Sequence, residues 1–185
     1  MVQSKEKRLT RDDWLQAALS MCELGIENVK IAPLAEDMGV TTGSFYWHFK
    51  NRPELLDALL EYWEREMTDV AIKTAREYPG PPAERIFLLM EAVMHGDMAR
   101  YDLPIWHWAQ SDSNAAAVLK RVLKKRFNFA AWMFKQAGFS DRQAKARGRM
   151  MVVYLMGEST LVSDSLSKNK ELLRLKHAIL MSPEP

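Results

Sequence analysis

The segment KIAPLAEDMGVTTGSFYWHFKNR, residues 30–52, reads as two short helices around a tight turn. Ile31, Leu34, Ala35 and Met38 recur at the spacing of one buried helical face, which predicts a helix over 30–38. Gly39 follows where a helix end favours a left-handed residue, a conformation glycine takes without a Cβ clash. Val40 plugs the turn, and Thr41 or Thr42 can cap the next helix, expected over about 43–48. In that helix Phe45 and Phe49 face inward, leaving Thr42, Ser44, Tyr46, Trp47 and His48 outside. An ordinary hairpin would carry Lys, Glu and Gln on such a face. This one carries hydroxyls, aromatics and a histidine, then Lys50 and Arg52, with no acidic residue between Val40 and Arg52. The pattern predicts a helix-turn-helix, whose second helix lies in the DNA major groove.

Upstream, the spacing predicts a helix from Arg11 to Leu24, with Thr10 as N-cap and Asp13 in the reciprocal capping position. Its inward face is Trp14, Leu15, Ala18, Leu19 and Cys22, so Cys22 reads as a core residue; Gly25 ends the helix. Downstream, Asn51 and Glu54 form a second capping signal with Pro53 in the first turn, opening a long fourth helix to about Glu77. Leu55, Leu56 and Leu59 close the small N-terminal core, which puts the domain division at 1–55 and 56–185. After Tyr78-Pro79-Gly80-Pro81-Pro82, helical patterns run over about 83–98, 104–110, 113–137, 141–163 and 168–181. Turns separate the last three at Gly138–Ser140 and Ser163–Ser165, and a disordered tail is expected at Ser182–Pro185. Nothing reads as a strand. The predicted fold is all-α with about nine helices.

At 185 residues and 48% hydrophobic, the chain can bury a core with a small second unit beside it. No apolar run approaches a membrane span, and Met1–Lys7 has no signal-peptide apolar region. With Cys22 as the single cysteine no internal disulfide forms, which fits a reducing cytoplasm. The net charge of +2 is too small to argue for nucleic acid by itself. The first 52 residues balance seven bases against seven acids, with bases at the N-terminal arm (Lys5, Lys7, Arg8) and at the reading-helix exit. The strongest basic run, Lys120 to Arg149, holds ten Lys or Arg against Asp141 alone. It could be a second nucleic-acid surface. Leu119, Val122, Leu123, Phe127, Ala130 and Phe134 interleave at helical spacing, which favours the solvated face of an amphipathic helix.

The stretch GVTTGSFYWHFKNRPELL, Gly39–Leu56, together with the layout from Thr10 to about Arg65, resembles the DNA-binding domain of the TetR (tetracycline-repressor-like) family of bacterial transcriptional regulators. The matching features are the turn glycine, Tyr46, Phe49 and Lys50, then the leucine pair opening a long helix. The resemblance implies a DNA contact at Tyr46, a dimer through the last long helices, a small-molecule effector in the C-terminal domain, and a repressor released by that effector. Family members often carry a basic residue where this chain has Ala32; Lys30 is the nearest substitute.

The candidate DNA-contacting set is Lys30, Thr41, Thr42, Gly43, Ser44, Tyr46, Trp47, His48, Lys50 and Arg52. Hydroxyls and the histidine can read base edges, the Tyr46 phenol suits a phosphate, and Lys50 and Arg52 would meet phosphate as charges. Tyr46 could instead pack against the first helix, and Trp47 could shield the core. One such unit reads few base pairs, so a homodimer on a palindromic double-stranded operator is expected. The dimer face would draw on Met150, Met151, Tyr154, Leu155, Leu161, Leu172, Leu173 and Leu175, with Gly148 and Gly157 allowing close helix approach. Phe87, Met90, Met94, Trp106, His107, Trp132, Met151 and Tyr154 are the candidate lining of an apolar effector pocket, the alternative being plain core. No cofactor or metal is implied. His95, Asp97, Asp102, His107 and Glu158 are the grouping closest to chemistry, but His95 and Asp97 lack the spacing that puts two ligands on one helical face. The rival reading is a helical enzyme or metal-binding protein with an incidental hairpin.

Overall fold

The computed structural model describes residues 9–162 and 169–183, with the side chain of residue 160 left aside. Ten α-helical segments follow in order: α1 (Arg11–Cys22), α2 (Ile31–Asp37), α3 (Thr42–Phe45), α4 (Arg52–Glu64), α5 (Val70–Glu77), α6 (Pro82–His95), α7 (Asp102–Ala109), α8 (Ser113–Gln136), α9 (Asp141–Gly157) and α10 (Lys170–Met181). A π-helical turn, Arg65–Asp69, fuses α4 and α5 into one rod, so nine helices stand among the described residues, with no strand. The expected turn at Ser163–Ser165, the basic arm at Lys5–Arg8 and the tail end Glu184–Pro185 lie outside the described residues.

The helix ends follow the capping chemistry. Thr10 and Asp13 form the reciprocal capping box of α1. Ser140 and Gln143 do the same for α9. Asn51 accepts the Glu54 N–H at 2.9 Å and opens α4 with Pro53 in its first turn. Helix α1 ends at Cys22, two residues before the expected Leu24, and α2 spans Ile31–Asp37 with Lys30 as N-cap.

Two cores organise the chain. In the first, Trp14, Leu19, Leu34, Phe45, Phe49, Leu55 and Leu59 are fully or almost fully buried. This core runs on past residue 55 through Leu60 and Trp63 to Ile105 and Trp108 of α7 and to Ala115, Val118 and Val122 of α8. The reading unit therefore sits on α7 and α8 as well as on its own helices. In the second core, Ile86, Met90 and Met94 of α6 pack with Phe129, Met133 and Phe134 of α8 and Met151 and Leu155 of α9. Helices α8 and α9 are antiparallel neighbours joined by a short turn in which Gly138 has φ +96°. Gly148 lets their backbones touch: a Cβ there would lie 2.8 Å from the Ala131 nitrogen. Its close approach is thus within the chain. A Cβ at Gly157 would meet nothing within 4 Å.

The π turn was not expected in a helix read as continuous to Glu77. With i→i+5 bonding, residues five apart share a face, so Glu64 and Asp69 both turn toward α8. Glu64 is buried and pairs with Arg121 and Lys125, the latter at 2.7 Å, and Lys125 also reaches Asp69 at 2.8 Å. The Arg121 hydrogen bonds come first in holding the Glu64 carboxyl below its ordinary range. Within the Lys120–Arg149 run, Arg121, Lys125 and Arg126 thus dock the rod, while Lys120 and Lys124 stand exposed as a solvated face would have them.

Candidate nucleic-acid interface

The turn between α2 and α3 closes through backbone bonds alone. Gly39, at φ +68°, donates to Glu36 O at 3.0 Å, and Val40 donates to Ala35 O at 2.9 Å. These are the two bonds of a glycine-terminated helix end, and they fix the angle at which the chain enters α3. Thr41 occupies the N-cap position in an extended conformation, but makes no side-chain capping bond. Helix α3 is regular only over Thr42–Phe45, shorter than the expected 43–48. It tightens into three-residue turns, with His48 N–H on Phe45 O at 2.9 Å, and ends against Phe49.

Phe45 anchors this element. It lies edge-on to Trp14 at 5.6 Å and to Tyr46 at 5.3 Å, and stacks on Phe49 at 5.3 Å. With the inner face locked, the outer face is delivered to solvent: Tyr46 is 60% and Trp47 81% exposed. Neither packs as core, the alternative the sequence left open. Thr41, Thr42 and Gly43 are exposed and Ser44 and His48 half-buried. Thr41, Gly43, Ser44, Trp47 and His48 line one open concavity with Leu9, of about 400 Å³. Lys30 stands exposed at the N-terminus of α2. Lys50 is exposed, with no ion pair among the described residues.

Two basic residues near the exit are used differently. Arg52 is half-buried, and its guanidinium donates from Nε to Val29 O at 2.6 Å and from Nη2 to Ile26 O at 2.7 Å. It ties the 3-10 turn Ile26–Asn28 to the first turn of α4, which revises its reading as a phosphate-binding charge. Arg11, assigned no role from sequence, donates to His48 O at 2.6 Å and lies 4.3 Å from the Phe49 ring centre. Glu54 completes the clamp, accepting the Lys50 N–H at 2.9 Å and reaching Arg11 at 3.4 Å. That backbone N–H is the first cause holding the Glu54 carboxyl below its ordinary range. Cys22 is fully buried, and desolvation first, with Glu27 and Glu23 adding, pushes its thiol up to about 12.

The residues expected to line one effector pocket separate. Met90 and Met94 are core, and Phe87 packs edge-on to His177 at 5.6 Å. Trp132 stacks on Phe129 at 5.4 Å beneath Arg76 and Arg85, while the Tyr154 ring lies 5.0 Å from the Lys176 ammonium. Trp106 and His107 stand exposed on α7, with His107 bordering a polar cleft beside Arg100 and Glu23. Only Met151 of the eight lines the apolar cavity between the rod, α6, α8 and α9, and none of them lines a second apolar cavity between the rod and α6. The supposed chemical grouping also disperses. His95 meets the Glu91 carbonyl, Asp102 pairs with Arg126, and Glu158 pairs with Lys176. Among the described residues no three His, Cys, Asp or Glu side chains are placed to hold a metal ion, and no helix is long and apolar enough to cross a membrane.

Fold and site together define an all-helical protein whose N-terminal helix-turn-helix displays a polar and aromatic reading face. Residues 15–59 match the family model of bacterial regulatory proteins, tetR family. Over 92 residues the chain is 28% identical to the HTH-type transcriptional regulator AcrR of Shigella flexneri, covering 49% of this chain and 41% of that one. It is 40% identical over 58 residues to the regulator TtgR of Pseudomonas putida, covering 31% and 28% of the two chains. Against the class C tetracycline repressor protein of Escherichia coli it is 42% identical over 55 residues, covering 29% and 25%. The chain spans less than half the length of these curated relatives. Over nearly its whole length it shares its fold with a transcriptional regulator of Rhodococcus sp. Rha1, at TM-score 0.73, 17% identity and 94% coverage of both chains. The ketosteroid transcriptional regulator KstR2 of Mycobacterium tuberculosis superposes at TM-score 0.64 and 16% identity, covering 98% and 95%. Over residues 15–59 the chain is thus similar to the DNA-binding domain of the TetR family, and over its length it shares the fold of such regulators.

Proposed function

We propose that the chain is a sequence-specific DNA-binding transcriptional regulator, acting as a ligand-responsive dimeric repressor. The observation that carries this reading is the outward display of Thr42, Ser44, Tyr46, Trp47 and His48 from an element locked by Phe45 and Phe49. Thr42, Gly43, Ser44 and His48 would read base edges, with Gly43 permitting close backbone approach. Tyr46, Lys50 and Lys30 would hold phosphate, and Trp47 would cover a sugar or a thymine methyl. Arg52 is left out of this set because its donors face Val29 and Ile26. Residues 1–55 serve as the reading unit and 56–185 as the regulatory one.

A second copy of the chain is supported by the outer faces of α9 and α10. Met150 and Val153 on α9, and Leu175 and Ile179 on α10, are exposed apolar residues at helical spacing, an arrangement suited to a two-fold helical interface. Met151, Leu155 and Leu173, also named for that face, are buried within the chain instead. Two reading units then match a palindromic operator with half-sites about one helical turn or a multiple apart. An apolar effector in the C-terminal half would shift the population toward a conformation whose reading helices no longer fit successive grooves. A cytoplasmic location accords with this role.

Selection of genomic DNA fragments on the purified protein at physiological salt tests the reading. Recovery of one palindromic motif is expected; binding indifferent to sequence, together with a stoichiometric metal in the purified protein, would favour the enzyme or metal-protein alternative.

A further inference from the structure

The apolar cavity beside the rod carries a single polar spot. Its walls include Met67 and Ile72 of the rod, Met98 after α6, Phe129 of α8, and Met151 and Leu155 of α9. Among the described residues, the side chains with nitrogen or oxygen on that wall are Thr68 and Arg126. Arg126 spends two of its donor atoms within the protein: Nε donates to Thr68 Oγ1 at 3.0 Å, and Nη1 to Asp102 Oδ2 at 2.6 Å. Its third nitrogen, Nη2, makes no hydrogen bond among the described residues. The guanidinium also lies 5.5 Å from the Trp63 ring, so its position is set by contacts on several sides.

We infer that this cavity takes an uncharged, mainly apolar molecule with one hydrogen-bond acceptor, docked on the free Nη2 edge of Arg126; the inference rests on the effector reading above. Charge decides the class. Asp102 is fully buried and already balances Arg126, so the polar spot is electrically neutral. Burial, opposed by Arg126, pushes the Asp102 carboxyl above its ordinary range, a sign that this site accepts no further negative charge. An anionic ligand would add a second desolvated carboxylate with no matching cation. A ligand without an acceptor would cover the Nη2 edge and leave a buried donor unmet.

Size decides how such a molecule acts. The cavity measures about 60 Å³, far below the roughly 300–1,000 Å³ of sites that hold drug-sized ligands. An occupant must therefore displace its walls, and Met67, Met98, Met151 and Met156 are unbranched side chains suited to repacking. Met67 and Thr68 belong to the π turn, so the occupant presses on the joint of the rod whose other end follows the reading helix.

The test uses three matched probes on the purified full chain, with dissociation constants from ligand-observed NMR: cyclohexanone, methylenecyclohexane of nearly the same shape, and cyclohexanecarboxylate. The ketone is expected to bind about tenfold or more tighter than the alkene, the size of one hydrogen bond to a charged group, with the carboxylate weakest. Arg126→Lys, which keeps the cation for Asp102, should bring ketone and alkene together. Ala71→Leu, which fills the cavity from the rod, should abolish ketone binding while circular dichroism stays unchanged. Equal binding of ketone and alkene to the unmodified chain overturns the anchor, and preference for the carboxylate overturns the charge class. Ketone binding that survives Ala71→Leu, or no binding by any probe, overturns the site. Ketone binding with the expected preference but without effect on DNA affinity upholds the site's chemistry and refutes the effector reading instead.

Discussion

Replacing Arg52 by alanine separates a structural clamp from a DNA contact. The side chain makes two hydrogen bonds to backbone carbonyls, at 2.6 and 2.7 Å, one of them to Val29, which is fully buried. Hydrogen bonds to a charged group contribute about 1.5–3 kcal/mol each, toward the low end where water can compete. Arg52 is half-buried, so we expect a loss of about 2–3 kcal/mol rather than the full sum. For a chain of this size that corresponds to a fall in Tm of about 4–12 °C. The assay pairs urea denaturation with DNA binding over a range of salt. Removing a phosphate contact would lower the salt slope of log K by about 0.9. The clamp predicts an unchanged slope among folded molecules and a clear loss of stability. Unchanged stability with a slope reduced by about one would refute this reasoning and restore Arg52 as a phosphate contact.

Lys50→Ala should do the opposite, cutting the salt slope by about one with no change in Tm, and Tyr46→Phe should weaken DNA binding at every salt concentration; fluorescence anisotropy and thermal melts check both. Gly148→Ala should destabilise the chain by about 1–3 kcal/mol despite alanine's better helix propensity, because its Cβ would meet the Ala131 backbone; denaturant midpoints measure it. His177 donates from Nε2 to Ala83 O at 2.9 Å, and burial lowers its pKa from the usual 6.5. A His whose folded pKa is lowered gives stability that is present above 6.5 and is lost as pH falls below it, since the unfolded chain takes the proton first. His177→Gln should flatten that acid-side loss; an unchanged pH profile of unfolding would count against it.

What the sequence made legible was local chemistry. The face of α2, the left-handed Gly39, the capping signals at Thr10 and Asn51 and the alternation of inward Phe45 and Phe49 are set by neighbours within a few residues. The Arg52 clamp was hidden because its partners, Ile26 and Val29, lie on another turn, and a basic residue after a reading helix looks the same whether it meets phosphate or carbonyl. The docking of Arg121, Lys125 and Arg126 on the rod was hidden likewise, since each partner sits more than fifty residues away. The π turn leaves no mark in apolar periodicity. The expected effector lining separates because Met90 and Met94, four residues apart on α6, recur at a helical spacing that core and pocket residues share. Only the packing distinguishes the Met151 wall from its neighbours.

The central claim is that α3 reads sequence. Its most direct test is selection from a random duplex library at fixed salt, run in parallel on the unmodified chain and on Ser44→Ala and Thr42→Ala. The account predicts a palindromic motif whose preference relaxes at one symmetric pair of positions for each substitution, by about 1–3 kcal/mol per base pair affected. A motif that survives both substitutions unchanged, or recovery of no motif by the unmodified chain, would contradict it.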